Sequence, residues 1–303
     1  MKRIALFILL IAFISVQAQQ NQIIKIWDSV PEYSKPNQDH ERKEYDELGV
    51  YRIYDVTIPI LEYFIPQNPN GSAVVICPGG GYLRLAYQFE GEAVAKWFAD
   101  KGISAFILKY RLPNDELMTN KEIVPLSDAQ KSIKYLRDNA DKYGIKKDKI
   151  GIIGFSAGGH LAASASTLFM KEVIPNNDKT NLRPDFSILG YPVISMNEEI
   201  THIGSRNNLI GEKPSEEMIH HFSNELNVTS DTPPTFLFHA TDDKTVAVEN
   251  SIRYYRSCLL NGVPVAMHIF EKGGHGFAMK KQVLDEQWLL LLEKWLVGRE
   301  IIN

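Results

Sequence analysis

Residues 154–158 read Gly154-Phe155-Ser156-Ala157-Gly158 and follow the apolar run Lys149–Gly154. A small-residue, helix-like stretch comes directly after, from Gly158 to Met170. A strand that turns sharply into a helix lifts its central serine above the sheet, and flanking glycines keep so tight a turn free of Cβ collisions. This context makes Ser156 a candidate nucleophile; in the competing reading it only caps the helix. A serine hydroxyl needs a base, a group that orients the base, and donors for the oxyanion that forms on the substrate carbonyl.

Eight histidines are available: His40, His160, His202, His220, His221, His239, His268 and His275. Only His275 sits in a glycine-rich turn, Gly273-Gly274-His275-Gly276, at the end of the strand-like run Val265–Phe270. That placement makes it accessible and free to swing, so it is the candidate base. His268 lies inside the strand and reads as packed, and His160 opens the helix after the serine and reads as packing or capping. His220 and His221 fall in a polar segment and read as solvated. His239 ends a strand and reads as shaping the acid loop.

The orienting acid is expected one strand earlier, after Thr235–Ala240, where Asp242 and Asp243 stand side by side. Successive side chains point in different directions, so one of the two is expected to reach His275. The spacing from His239 to Asp243 to Val246 favours Asp243, with Asp242 as a capping or solvated carboxylate. The order Ser156, Asp243, His275 is then the nucleophile–acid–base order of α/β-hydrolases. Oxyanion donors are expected from Pro78-Gly79-Gly80-Gly81-Tyr82, which follows the apolar run Ser72–Cys77. Consecutive glycines let backbone N–H groups converge without side-chain obstruction. Gly80 or Gly81, with the N–H of Ala157, are the candidates; a plain glycine hinge is the alternative.

With these residues in place the chain resembles the bacterial α/β-hydrolase carbohydrate esterases, acetylxylan-esterase-like enzymes among them. The resemblance rests on Val75–Tyr82, Glu90-Gly91, Gly102–Pro113, Gly154–Leu161, Arg183–Phe186, Tyr191–Ile194, Pro233–Phe236, Asp242-Asp243, Asn250-Ser251 and Gly273–Phe277, and covers roughly residues 50–298. It implies the triad Ser156, Asp243 and His275, an oxyanion loop at Pro78–Tyr82, and hydrolysis of acyl, chiefly acetyl, esters on carbohydrate such as xylan or xylo-oligosaccharides. Two departures stand out. Pro78 occupies the place where related esterases often carry a histidine, which is expected to alter the support of the loop rather than its donors. Ala247 replaces a proline common after the acid loop.

Strand-like and helix-like runs alternate through the chain, which implies a mostly parallel central β-sheet flanked by helices on both faces. Tyr51–Ile58 and Ile60–Ile65 read as leading antiparallel strands around Pro59. Ser195–Ser230 is polar, without a clear strand, and reads as a small cap over the site. The expected organisation is a signal peptide over residues 1–18, an N-terminal extension over 19–49, and one catalytic domain over 50–303. The leader reading rests on Lys2-Arg3, the apolar run Ile4–Val16 and the small-x-small site ending at Ala18. That run is too short for a typical spanning helix, so secretion to the periplasm or exterior is expected, with no membrane association after cleavage.

A net charge of −4 over 303 residues, more negative once the leader is removed, makes nucleic acid a poor partner. The expected partner is a small-molecule or oligosaccharide ester. Cys77 and Cys258 are the only cysteines. They are expected to stay unpaired, and no Cys/His spacing suggests zinc. The chemistry requires neither metal nor cofactor. Two other readings compete. A serine peptidase of this fold resembling prolyl oligopeptidase would need chain for a propeller domain. A non-catalytic ligand-binding protein of this fold usually lacks one triad member.

Overall fold

The computed structural model describes residues 21–36, 39–280 and 283–302. The expected signal peptide over 1–18 lies outside the described residues. Eleven strands run β1 (Gln22–Lys25), β2 (Arg42–Tyr45), β3 (Tyr51–Tyr54), β4 (Ile60–Phe64), β5 (Ala73–Cys77), β6 (Arg84–Leu85), β7 (Ser104–Lys109), β8 (Ile150–Phe155), β9 (Ser187–Gly190), β10 (Thr235–Ala240) and β11 (Val265–Phe270) among the described residues. The helices are α1 (Ala93–Asp100), α2 (Val124–Asp138), α3 (Ala140–Tyr143), α4 (Ser156–Thr167), α5 (Ile203–Ile210), α6 (Glu216–Phe222), α7 (Glu249–Leu260) and α8 (Val283–Gly298).

Eight strands form the main sheet in the order β1-β4-β7-β5-β8-β9-β10-β11. From β7 to β11 every pairing is parallel, and β1 and β4 add an antiparallel edge. Strands β5, β8 and β10 are buried at every position, so both faces of the sheet's middle are covered. Their largely apolar sequences, broken in β10 by Thr235 and His239, are what two-sided burial of parallel strands demands. Helices α1, α2, α4, α7 and α8 pack on these strands. Helix α4 is buried at every residue, and its Gly/Ala/Ser composition lets it lie close against β8, β9 and α2. This is the α/β-hydrolase architecture that the alternation implied.

Three features differ from expectation. Residues 19–49 do not simply precede the domain: β1 joins the main sheet beside β4, and β2 joins a small antiparallel sheet with β3 and β6. Ile24 and Ile26 are buried there, which ties the segment to the core. Strands β3 and β4 do not pair with each other; Asp55, at φ +53°, turns the chain from the small sheet toward the main one. The helix-like stretch over 127–143 divides into α2 and α3 at Asn139, whose backbone leaves helical geometry.

Segment 195–230 has no strand among the described residues, as read, but it carries α5, α6 and a 3₁₀ turn at Asn224–Leu226. Cys77 and Cys258 are buried free thiols.

Candidate active site

Strand β8 ends at Phe155 and α4 begins at Ser156, whose φ of +52° is the strained left-handed conformation of a nucleophile elbow. The turn leaves no room for side chains on its flanks. A Cβ on Gly154 would lie 2.0 Å from the Gly158 carbonyl oxygen, and one on Gly158 would lie 2.1 Å from that of Cys77. Both glycines are therefore dictated by the packing of the elbow against its own helix and against β5.

Ser156, Asp243 and His275 come together from three loops. The Ser156 Oγ lies 2.9 Å from His275 Nε2, and His275 Nδ1 lies 2.7 Å from Asp243 Oδ2. A carboxylate only accepts, so Nδ1 carries the proton and the Nε2 lone pair faces the serine hydroxyl. This is the tautomer a general base needs. Asp243 is chosen over Asp242 by its loop. Its Oδ1 accepts the N–H groups of Thr245 and Val246, both at 2.9 Å, which turns Oδ2 toward His275. Asp242 instead accepts the Gly274 N–H at 2.7 Å and so props the turn that carries His275.

His239 does shape the acid loop. Its Nε2 lies 3.0 Å from the Val246 carbonyl and 3.2 Å from Asp243 Oδ2, while Nδ1 meets Ser251 Oγ at 2.8 Å. The carbonyl can only accept, so Nε2 carries the proton that both oxygens share. Burial alone would raise the Asp243 pKa. The hydrogen bonds from His239 and His275, and from Val246, overcome it and hold the carboxyl far below the ordinary range.

Side chains hold four of the five residues of the loop Pro78–Tyr82, all but Gly80. Tyr110 donates to the Pro78 carbonyl at 2.7 Å, and the Gly79 N–H goes to Glu90 Oε2 at 2.8 Å. Asn208 of α5 donates to the Gly81 carbonyl at 2.8 Å, and the Tyr82 hydroxyl meets His160 Nδ1 at 2.8 Å. Among the described residues nothing accepts from the N–H of Gly80 or Gly81, so both stay available as donors. Gly80 takes φ +133°, and a Cβ there would lie 2.1 Å from the Arg84 carbonyl oxygen. Ala157 is buried, and its N–H, in the first turn of α4, has no acceptor within the helix.

Ser156, His275, Gly80 and Gly81 all line one cavity of about 380 Å³. Val50, Arg52, Leu83, Arg84, Phe89 and Lys280 form much of the rest, and His202 and Asn208 face it from the cap. The cap thus borders the site. His202 N-caps α5, with Nδ1 2.8 Å from Ser205 Oγ, and burial, then the nearby His275, lowers its pKa.

The remaining histidines fall as read. His160 is sealed between Tyr82 and the Phe222 carbonyl. His268 is half-buried against the Phe236 ring, and His221 is partly exposed beside Lys171.

Glu90, Tyr191, His202 and Asn208 were not singled out for any role from the sequence. Glu90-Gly91 and Tyr191–Ile194 did fall among the motifs that carried the resemblance, a signal of place without a signal of role. Among the described residues no group of three or more His, Cys, Asp or Glu could hold a metal ion.

The chain is 38% identical over 238 residues to an acetylxylan esterase of Xylanibacter ruminicola, covering 77% of this chain and 47% of that protein. It is 34% identical over 234 residues to endo-1,4-beta-xylanase B of Butyrivibrio fibrisolvens, covering 76% of this chain and 36% of that protein. It therefore spans about half the length, or less, of these curated relatives. Among solved structures, an acetyl ester-xyloside bifunctional hydrolase from Caldicellulosiruptor lactoaceticus superposes with a TM-score of 0.77 at 34% identity. That alignment covers 95% of this chain and all of the other. The model of the BD-FAE family matches residues 61–257, and the chain belongs to that family.

Proposed function

We propose that this chain is a secreted serine esterase that removes acetyl groups from carbohydrate esters such as xylan fragments. The observation that carries the reading is the unbroken line from Asp243 through His275 to Ser156 Oγ, which lines an open cavity. Ser156 Oγ attacks the ester carbonyl while its proton passes to His275 Nε2. The negative charge that forms on the carbonyl oxygen is met by the N–H of Ala157 and of Gly80 or Gly81, in a site where such donors are worth ~10²–10³ in rate each. Asp243 keeps the imidazole in the required tautomer and stabilises the imidazolium.

Collapse of the intermediate expels the sugar hydroxyl, which takes the proton back from His275 and leaves acetyl on Ser156. Water, deprotonated by the same histidine, then releases acetate.

The carbohydrate substrate is supported by the names of the relatives. One acts on acetylated xylan, and another is described as an acetyl ester-xyloside hydrolase. Export is supported by the basic start, apolar run and small-residue site of residues 1–18. An intact triad speaks against a purely ligand-binding role.

The test is acetate release from acetylated xylo-oligosaccharides and from an aryl acetate, comparing wild type with Ser156→Ala. Loss of about 10⁴-fold or more on both substrates is the expected result. Turnover of the aryl acetate alone would overturn the carbohydrate assignment. Undiminished turnover in the variant would overturn Ser156 as nucleophile.

A further inference from the structure

One buried acid at the site has no part in the triad. Glu90 lies in the short π-helical turn Gln88–Glu92 that leads into α1 and is almost wholly enclosed. Such turns are rare and gather at functional sites. Here the turn delivers a carboxylate to the cavity wall beside Ser156, and Glu90 is the only acidic residue lining that cavity among the described residues.

Both of its oxygens are committed. Oε2 accepts the Gly79 N–H at 2.8 Å, and Oε1 accepts the Tyr191 hydroxyl at 2.8 Å. The Tyr191 oxygen itself accepts the Ala278 N–H at 3.3 Å, which leaves its own proton for Glu90. Both partners donate to Glu90, so neither contact offers an acceptor for a proton on it, and the arrangement suits a carboxylate. The Tyr191 ring then meets the His275 ring near edge-on, with centroids 5.1 Å apart. Tyr191 is held at φ +35°, a strained conformation that its surroundings must impose. The fit on the other side is as close. A Cβ on Gly79 would lie 2.7 Å from Glu90 Oε2 and 2.9 Å from the Ser156 Cβ.

We propose that Glu90 is a positioning residue that couples the oxyanion loop to the catalytic histidine. One oxygen fixes the peptide ahead of Gly80, the other holds the tyrosine against which His275 rests, and its charge faces the imidazolium. The proposal rests on the triad reading above. It explains why only Gly80 and Gly81 of the three glycines remain free to donate: the Gly79 N–H is spent in aiming the loop.

It also gives the histidine a second negative charge to work against. Burial raises the Glu90 pKa above the ordinary carboxylate value, and Tyr191, His275, the Gly79 N–H and Lys280 offset only part of that rise. The groups gathered around His275 are Asp243 and Ser156 in contact, the Tyr191 ring beside it, and Glu90, His202, Lys280, Arg52 and Arg84 lining the same cavity.

Glu90→Gln tests this directly. Glutamine keeps the size of the side chain and an acceptor for Gly79 but removes the charge. With aryl acetate as substrate, kcat is expected to fall about tenfold, less than the loss of a whole oxyanion donor, with KM little changed. Without the second carboxylate the imidazolium is less stable, so the acidic limb of the kcat/KM profile moves to lower pH. Tyr191→Phe cuts the tie but leaves the charge, and is expected to lower kcat without that movement.

A folded Glu90→Gln enzyme with wild-type kcat and an unmoved acidic limb would overturn the proposal. So would one whose only defect is a lower Tm. The rate at which a phosphonofluoridate labels Ser156 reads the same histidine without any ester. Loss of carbohydrate turnover alone therefore leaves this inference standing. A wild type that neither hydrolyses aryl acetate nor takes the label would sink the triad reading, and this proposal with it.

Discussion

Two carboxylates in this protein are equally buried and equally well bonded, yet they do opposite things. The side chains of Asp128 and Asp243 both have no exposed surface. Asp128 accepts the Arg111 backbone N–H at 2.9 Å, its guanidinium at 2.7–3.1 Å and the Trp27 indole at 3.0 Å. Asp243 accepts two backbone N–H groups and two imidazoles.

The difference lies in what stands behind the partner. Arg111 is itself fully buried, and its other nitrogens go to the Glu32 carbonyl and the hydroxyls of Ser34 and Ser127. A guanidinium never gives up its proton, so that chain of bonds can only clasp, and what it clasps is the N-terminal segment. The His275 side chain keeps 20% of its surface exposed and turns its second nitrogen to Ser156. An imidazole can take up a proton on one nitrogen while the other keeps its own, so that chain can move a proton. A buried, well-bonded carboxylate becomes machinery when its partner can pass on a proton and opens on a cavity.

Breaking the two sites should give opposite signatures. Asp243→Asn keeps the shape but offers His275 an amide, which favours the wrong tautomer. We expect kcat to fall by about 10⁴ with the fold retained, read by steady-state kinetics beside a thermal melt. Arg111→Met should do the reverse. Removing one partner leaves Asp128 buried and unpaired, which costs about 3–5 kcal/mol of stability. The kcat per folded molecule should stay within about twofold, because none of the side-chain hydrogen bonds of Arg111 reaches a triad or oxyanion-loop residue. Denaturant unfolding monitored with activity separates the two cases. An Arg111→Met enzyme that keeps its stability but loses turnover would erase the distinction.

The same contrast marks what could be read from the sequence. Ser156 was legible because its signal is contiguous: an apolar strand, a glycine-flanked turn and a small-residue helix. His275 was legible from its glycines and its order in the chain. The central strands β5 and β8 announce themselves by apolar runs, and β10 by the run Phe236–Phe238. Strand β2, Arg42–Tyr45, is exposed at all four residues and carries no alternation, so nothing local marks it.

The choice of Asp243 over Asp242 rested on spacing in the sequence; in the structure it is fixed by which oxygen the Thr245 and Val246 N–H groups capture. Glu90 and Tyr191 had no readable role because they stand 101 residues apart and meet only when β9 is laid into the sheet. The clasp at Arg111 was hidden for the same reason: its partners at Glu32 and Ser34 lie 79 and 77 residues away.

The smallest expected effect sharpens the comparison with a third buried group. His160 is as close to the oxyanion loop as His275 is to the serine, but both of its nitrogens are occupied and its ring is sealed. The Phe222 carbonyl only accepts, so Nε2 donates to it and Nδ1 takes the Tyr82 hydroxyl proton. The ring therefore stays neutral, and burial lowers its pKa to about 4. Its folded pKa lies below the unfolded value, so the unfolded chain binds the extra proton first as pH falls. Stability is undisturbed above about pH 6.5 and declines between there and pH 4. This one group removes about 3 kcal/mol between pH 7 and pH 4.

Comparing wild type with His160→Gln cancels the titration of every other residue. The variant should start less stable at pH 7 and lose less on acidification, so the two stability curves converge. Parallel curves would mean that His160 takes up its proton inside the fold. The oxyanion loop would then be tied to the cap by a charged group, and His160 would belong with His275 rather than with Arg111.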